Sequence, residues 1–344
     1  MTADFEDIIA YCSAEGRSII SISSPLFPRG LKELKDPPAL LFCMGDTSLL
    51  ANPCPVAVVG SRKAGDTAMG IAYRMGLYLS ACGATVVSGG AYGIDSCAHA
   101  GAALGTGGSI AVLGGGLGAK LNGCAEYLRE RSGDRFVYIT ELMPFTEAKR
   151  YNFPKRNRLI AALARSVAVV EAGEKSGALI TAEYAAALSK NVYVASAPGE
   201  MSAGCALLAA NGVPAAENAA DILEKFKSGV LRRGPLYRLP FYEPEDAGRE
   251  EIEFARRNCG GKGAANKTKK APADNIYGKS ITNAAATLCG DELAVYSVLG
   301  CEPVYTDEIE DRTGLDSTAI MAALTSLELC DLVRLCPGNR IEKI

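Results

Sequence analysis

Val56-Ala57-Val58-Val59-Gly60-Ser61-Arg62 is the stretch whose reading decides the fold. Four small or β-branched residues in unbroken succession suit a strand covered on both faces, and the glycine behind them lets the chain turn sharply where the strand ends. The pattern recurs. Ala84-Thr85-Val86-Val87 runs into Ser88-Gly89-Gly90-Ala91-Tyr92-Gly93, Ser109 to Leu113 into Gly114-Gly115-Gly116, and Val167-Ala168-Val169-Val170 into a turn ending in Lys175-Ser176-Gly177. Phe136 to Thr140 and Asn191 to Ala195 supply two further strands, the last followed by Ala197-Pro198-Gly199. The Ala/Leu-rich stretches between them fit covering helices. This alternation predicts an α/β fold, a Rossmann-like, doubly wound parallel sheet whose ligands lie beyond the carboxyl ends of its strands.

Around that unit the chain divides into four parts. Residues 1–50 are a short extension, with a helix over Asp4 to Ala14, a β-prone piece over Ser18 to Ser23, and ordered turns over Pro25 to Leu31 and Asp36 to Phe42 that hold apolar anchors. Residues 51–228 are the Rossmann-like domain. Residues 229–290 read as a flexible linker, acidic from Glu243 to Glu253 and rich in Gly, Ala and Lys from Asn258 to Asp274. Residues 291–344 return to order as three helices and a small hairpin, a winged helix-turn-helix in which Thr306 caps the second helix. The third helix carries no Lys or Arg between Asp316 and Glu328, which suits a protein-contact or structural role better than DNA reading.

Composition bounds the chemistry. The 344 residues carry a formal net charge of −3 and a pI near 5.5, so any nucleic-acid surface must be local. The 12 cysteines form no C-x-x-C pair, which gives no zinc spacing or disulfide framework and leads us to expect a reducing cytoplasm. The acidic start lacks a signal pattern, and no apolar run reaches the ~18 residues of a membrane span. No metal, cofactor or membrane is expected.

Against that acidic body stands Lys149-Arg150-Tyr151-Asn152-Phe153-Pro154-Lys155-Arg156-Asn157-Arg158, with five cations and two aromatic rings in ten residues. Cations bind phosphate oxygens and ring faces stack on unpaired bases, a combination suited to single-stranded nucleic acid. Arg62, directly after a strand, is aimed at a phosphate in the crevice. The amides at the strand ends, at Ser61 and at Gly89-Gly90, are further anion donors. Ser176-Gly177, opening a helix, forms a second phosphate turn, with Lys175 adding charge and Thr181 either an inward contact or a helix-face residue. A dinucleotide site is excluded in detail, because Arg62 stands where G-x-G-x-x-G needs its middle glycine; no nucleotide triphosphate P-loop occurs. Asp95 and the single histidine, His99, could face each other across one helical turn, but a pair without a positioned nucleophile is read as structural, and no catalytic residue is assigned.

Together, Gly60-Ser61-Arg62, Ser88 to Asp95 with His99, Phe153 to Arg158, Ser176 to Ala182 and Ala197-Pro198-Gly199 resemble the DNA-processing protein A (DprA, or Smf) family over about residues 25 to 225. The resemblance implies an extended Rossmann-like domain and a cytoplasmic, non-enzymatic protein. It would bind single-stranded DNA in natural transformation, protect incoming strands, help displace single-strand binding protein, load the RecA recombinase and form a homodimer. Carried over by motif, Arg62 matches a phosphate-binding arginine. Arg150 and Phe153 match a basic residue and an aromatic of the pocket, Arg156, Asn157 and Arg158 its core motif, and Ser176-Gly177 its phosphate turn; Lys155 closes the same pocket. The chain departs from the family pattern at Leu121-Asn122, where Tyr-Pro is common, at Ser189-Lys190 in place of Gly-Arg, and at Cys205 in place of Asn. The rival reading is an enzyme or sensor for a nucleotide-derived small molecule, in the manner of the phosphoribohydrolases, although their P-G-G-x-G-T signature is missing.

Overall fold

A computed structural model describes residues 5–118, 128, 134–197, 199–226, 229, 231, 233–242, 252–253, 291–299, 304–329, 333–336 and 340–343. The six expected strands form as β3 (Pro55–Val59), β4 (Thr85–Ser88), β5 (Ser109–Val112), β6 (Phe136–Thr140), β7 (Ser166–Val169) and β8 (Asn191–Val194), each parallel to its neighbours in this set. Two more strands from the extension, β1 (Ser18–Ser21) and β2 (Leu40–Gly45), add to one edge, β2 antiparallel to β6 and β1 antiparallel to β2. The order is β1-β2-β6-β5-β4-β3-β7-β8. The turn expected over Asp36 to Phe42 ends early: Leu40 onward is a strand, because Leu41 and Cys43 bury against one face of the sheet and Phe42 against the other. The extension therefore continues the main sheet.

The alternation of side chains along β3 shows why it must be apolar throughout. Val56 and Val58 face one core, shared with α3 (Asp66–Ala81) and α4 (Ile94–Ala102). Ala57 and Val59 face the other, shared with α5 (Asn152–Leu163) and α6 (Gly177–Ala187). Full burial of each valine contributes roughly 1.5–3 kcal/mol. The extension's helices, α1 (Phe5–Ala14) and α2 (Arg29–Lys32), lie over the β1–β2 edge and beside α5 respectively. From β3 the chain walks outward through β4, β5 and β6, then returns to place β7 on the other side of β3. That reversal is the topological switch point, where the loops after β3 and β7 part to leave a crevice.

Part of the expected linker is packed structure. Residues 235–241 are packed onto the domain: Leu236, Tyr237, Leu239 and Phe241 are buried, the Phe241 carbonyl accepts from Arg74 Nε at 2.6 Å, and its N–H donates to the Glu217 carbonyl at 2.7 Å. The lysines of the Gly/Ala/Lys stretch lie outside the described residues. Beyond α7 (Ala203–Ala210) and α8 (Ala219–Leu223), the C-terminal unit is a winged helix, with α9 (Asp291–Val298), α10 (Thr306–Thr313), α11 (Ser317–Leu329) and a sheet ordered β10 (Val333–Cys336), β11 (Arg340–Lys343), β9 (Val304–Tyr305). Thr306 is the first residue of α10; Tyr305 precedes it at the cap.

Two of the departures from the family pattern have a structural account, and Leu121-Asn122 lies outside the described residues. Cys205 is fully buried, its thiol directed at the Val169 and Val170 carbonyls. Ser189 sits at φ +55°, in the left-handed region that favours glycine, while Lys190 pairs with Glu33 at 3.0 Å. A side chain in that region costs about 1 kcal/mol. Ser189→Gly should therefore raise stability by roughly 0.5–1 kcal/mol, read as a higher urea midpoint at unchanged slope.

Candidate nucleic-acid interface

The crevice at the switch point holds a cavity of about 210 Å³. Four chain segments close it. The loop after β3 brings Gly60 and Arg62, the turn after β4 brings Ala91 and Asp95, the first turns of α5 bring Phe153, Pro154, Arg156, Asn157 and Ile160, and the start of α6 brings Ser176, Gly177, Ala178 and Thr181. The loop after β3 is pinned by Ser61, whose N–H donates to the Glu171 carbonyl at 2.7 Å and whose hydroxyl accepts from Lys63 N–H at 3.1 Å. Arg62 is thereby thrown forward over Phe153, its Cζ 4.6 Å from the ring centroid.

Arg156, one turn along α5 from Phe153, is 5% exposed, and its Nε and Nη1 are buried without a hydrogen-bond partner. Burial pushes its pKa down to about 10, with Asp95 opposing that shift and the Arg62 charge adding to it, so it remains a cation at neutral pH. Space for it exists because residue 89 is glycine: a Cβ there would collide with Arg156 Nη1. Asp95, 8% exposed on the first turn of α4, has its pKa raised by burial first, against the opposing pull of Arg156, the nearby Ser88 hydroxyl, the Ala91 N–H and Arg62. On the far side, Ser176 caps α6 by accepting from Ala178 N–H at 3.3 Å. The Gly177 carbonyl accepts from Asn157 Nδ2 at 3.0 Å and Thr181 Oγ1 at 3.3 Å, which fixes the turn so that the helix N-terminus faces the cavity.

Of the residues singled out in the sequence, the cavity gathers Arg62, Phe153, Arg156, Asn157, Ser176, Gly177 and Thr181. Gly89 lies buried under Arg156, and Gly90, buried at φ +62°, turns the chain beside it. Arg150, Lys155 and Lys175 are exposed on the same segments without lining the cavity, and Ser61 supports the loop from behind. Arg158 points elsewhere. It is buried in an ion pair with Glu141 at 2.5 Å, reaches the Asp36 carboxylate at 3.7 Å and donates to the Asp36 carbonyl at 3.0 Å, joining α5 to the end of β6 and to the extension. The possible facing of Asp95 and His99 is not formed. His99 Nδ1 lies 2.6 Å from the Ser109 hydroxyl, and burial, then the Arg156 charge, push its pKa down to about 3, leaving it neutral. Asp95 instead belongs to the cavity, a role that sequence reading missed although the residue follows a glycine turn at a strand end just as Arg62 does.

Removing Arg158 would leave the Glu141 carboxylate, 13% exposed, without its buried partner. Arg158→Ala should cost about 3–5 kcal/mol in urea unfolding. Gly89→Ala should behave oppositely, with little change in stability but a drop of tenfold or more in oligonucleotide affinity as Arg156 is displaced, read by fluorescence anisotropy.

Among the described residues no helix is long and apolar enough to cross a membrane, and no cluster of three potential metal ligands occurs. The family model described as DNA recombination-mediator protein A matches residues 18–227, and one described as DprA winged helix domain matches residues 281–339. The DNA processing protein DprA of Bacillus subtilis (strain 168) is 33% identical over 240 residues, covering 68% of this chain and 78% of the relative. The X-ray structure of DprA from Streptococcus pneumoniae is similar at a TM-score of 0.57 and 34% identity, covering 64% of this chain and 78% of that one. The structure of DNA processing protein A from Helicobacter pylori, determined for insight into its single-stranded DNA binding mode, follows at 0.53 and 27%, covering 58% and 89%. With its motifs, its fold and both family matches in agreement, the chain belongs to the DNA recombination-mediator protein A (DprA) family.

Proposed function

We propose that this protein binds single-stranded DNA as a recombination mediator, with the switch-point cavity as the seat of one backbone phosphate. The observation that carries this reading is the buried Arg156 guanidinium, charged and with Nε and Nη1 unpartnered, in a cavity that also presents Arg62 and the N-terminus of α6. Groups of this kind are completed by an anion's oxygens. At about 210 Å³ the cavity falls below the ~300–1,000 Å³ of pockets that enclose a small-molecule ligand. A phosphate with part of its neighbouring sugar fits that volume, and the rest of a strand would run outside, over exposed Lys149, Arg150 and Lys155. Phe153 already carries Arg62 on one face, so Tyr151, 69% exposed, is the ring better placed to receive an unpaired base. Stacking contributes about 1–3 kcal/mol per base, which duplex DNA can draw on only after melting.

The same geometry favours a binding protein over an enzyme. The Ser176 hydroxyl is engaged as a helix cap, and the single histidine is neutral, buried and turned to Ser109, so the cavity pairs no nucleophile with a base. Protection of incoming strands in natural transformation, displacement of single-strand binding protein, loading of RecA, a homodimer and a cytoplasmic setting complete the reading. The division into an extension, a DNA-binding domain, a tether and a winged helix goes with it. The cation-free face of α11 suits a partner protein better than duplex DNA.

Titration of the full chain with single- and double-stranded oligonucleotides at several salt concentrations tests this. Tighter binding of single strands is expected, with ~3–4 phosphates neutralised and a log-log salt slope of roughly −2 to −3. Equal affinity for both forms, or release of free base from AMP, would overturn it.

A further inference from the structure

An anion site that keeps a carboxylate inside it is working against part of its own affinity, and the cost depends on how much negative charge the ligand brings. Asp95 is that carboxylate. It lines the cavity with Arg62 and Arg156 and is 8% exposed. Its contacts within the protein are weak: the Ala91 N–H reaches it from 3.4 Å, and the neighbouring Ser88 hydroxyl donates to the Val58 carbonyl at 2.6 Å. Arg62 from the loop after β3 and Arg156 from α5 act on it through space, while His99, one turn further along α4, is neutral.

We infer that Asp95 makes this pocket selective for the singly charged phosphodiester inside a strand, and against the doubly charged phosphate of a strand end or a free mononucleotide. This rests on the phosphate seat argued above and adds a specificity to it. Burial works against the charge on Asp95, but the Arg156 and Arg62 guanidiniums on either side favour its ionised form. Two guanidiniums and one carboxylate leave the cavity with a net charge near +1, which a phosphodiester monoanion balances. A phosphomonoester carries about −1.5 to −2 at neutral pH, so its second charge meets Asp95 in a setting screened far less than water. Both ligands lose affinity to the carboxylate, but the dianion loses more, and the difference is the selectivity. The physical benefit is plain for a protein that must grip the interior of a strand in a solution full of free nucleotides.

The experiment uses the full-length protein with a fluorescent oligo-dT, displaced at pH 7.5 by thymidine 5′-monophosphate or by its methyl ester, which differ by one charge on the same nucleoside. The wild type should prefer the methyl ester by about tenfold. Asp95→Asn should abolish that preference by tightening the monophosphate most, with the methyl ester and oligo-dT tightened by a smaller factor. An unchanged preference in Asp95→Asn overturns the inference. So does a parallel weakening of both competitors and oligo-dT, which would make Asp95 a support for Arg156 and nothing more. Asp95→Ser serves if Asp95→Asn does not fold, and equal affinity of the wild type for the two competitors sinks the idea without any variant. Failure of the wild type to bind oligo-dT at all would instead remove the proposed function beneath it.

Discussion

Taking the Arg156 guanidinium out of water is costly for the folded chain, and the surroundings that make it tolerable also make the site. The group is held near Asp95 and lies over a glycine that leaves it room, yet Nε and Nη1 are given no acceptor. A buried cation in that condition is stabilised by whatever anion completes its hydrogen bonds. The neighbouring parts fall into place around it: Arg62 stacked forward on Phe153, the α6 turn fixed by Asn157 and Thr181, and the glycine at position 89.

The sheet accounts for why these parts meet. Arg62, Asp95 and Ser176 are far apart in sequence, but each follows the carboxyl end of a strand, and those strands, β3, β4 and β7, are neighbours. The order reversal on either side of β3 opens the crevice, and α5, entering from β6, lays its first turns across it. The cavity is a property of strand ends brought side by side.

Much of this was legible in the residues. Continuous β-branched runs closed by glycine marked the parallel strands, because burial on both faces leaves no other composition open to them. The cationic and aromatic run pointed to the crevice, since so much charge on an acidic body needs a use. What was not legible had physical reasons. The strand at Leu40–Gly45 is signalled only by pairing with β6, which lies ninety-odd residues on. Arg156 and Arg158 look alike in sequence, and only the position of Glu141 and Asp36 shows that Arg158 is a staple while Arg156 faces the cavity. Asp95 reads as structural because nothing local records that a cation from α5 will lie beside it. Phe241 sits in a stretch whose composition says tether, and its burial depends on a surface of α3 seen only after folding.

The alternation of duties along α5 has a mechanical corollary. Each residue of a helix turns the next by about 100°, and Arg156 and Arg158, two steps apart, look in very different directions. A single insertion or deletion ahead of them would re-phase the helix and could exchange neither role for the other, because the staple's acids are anchored to β6 and to the Asp36 turn. The helix is keyed like a camshaft: its angular setting is fixed by the lobe that faces away from the work.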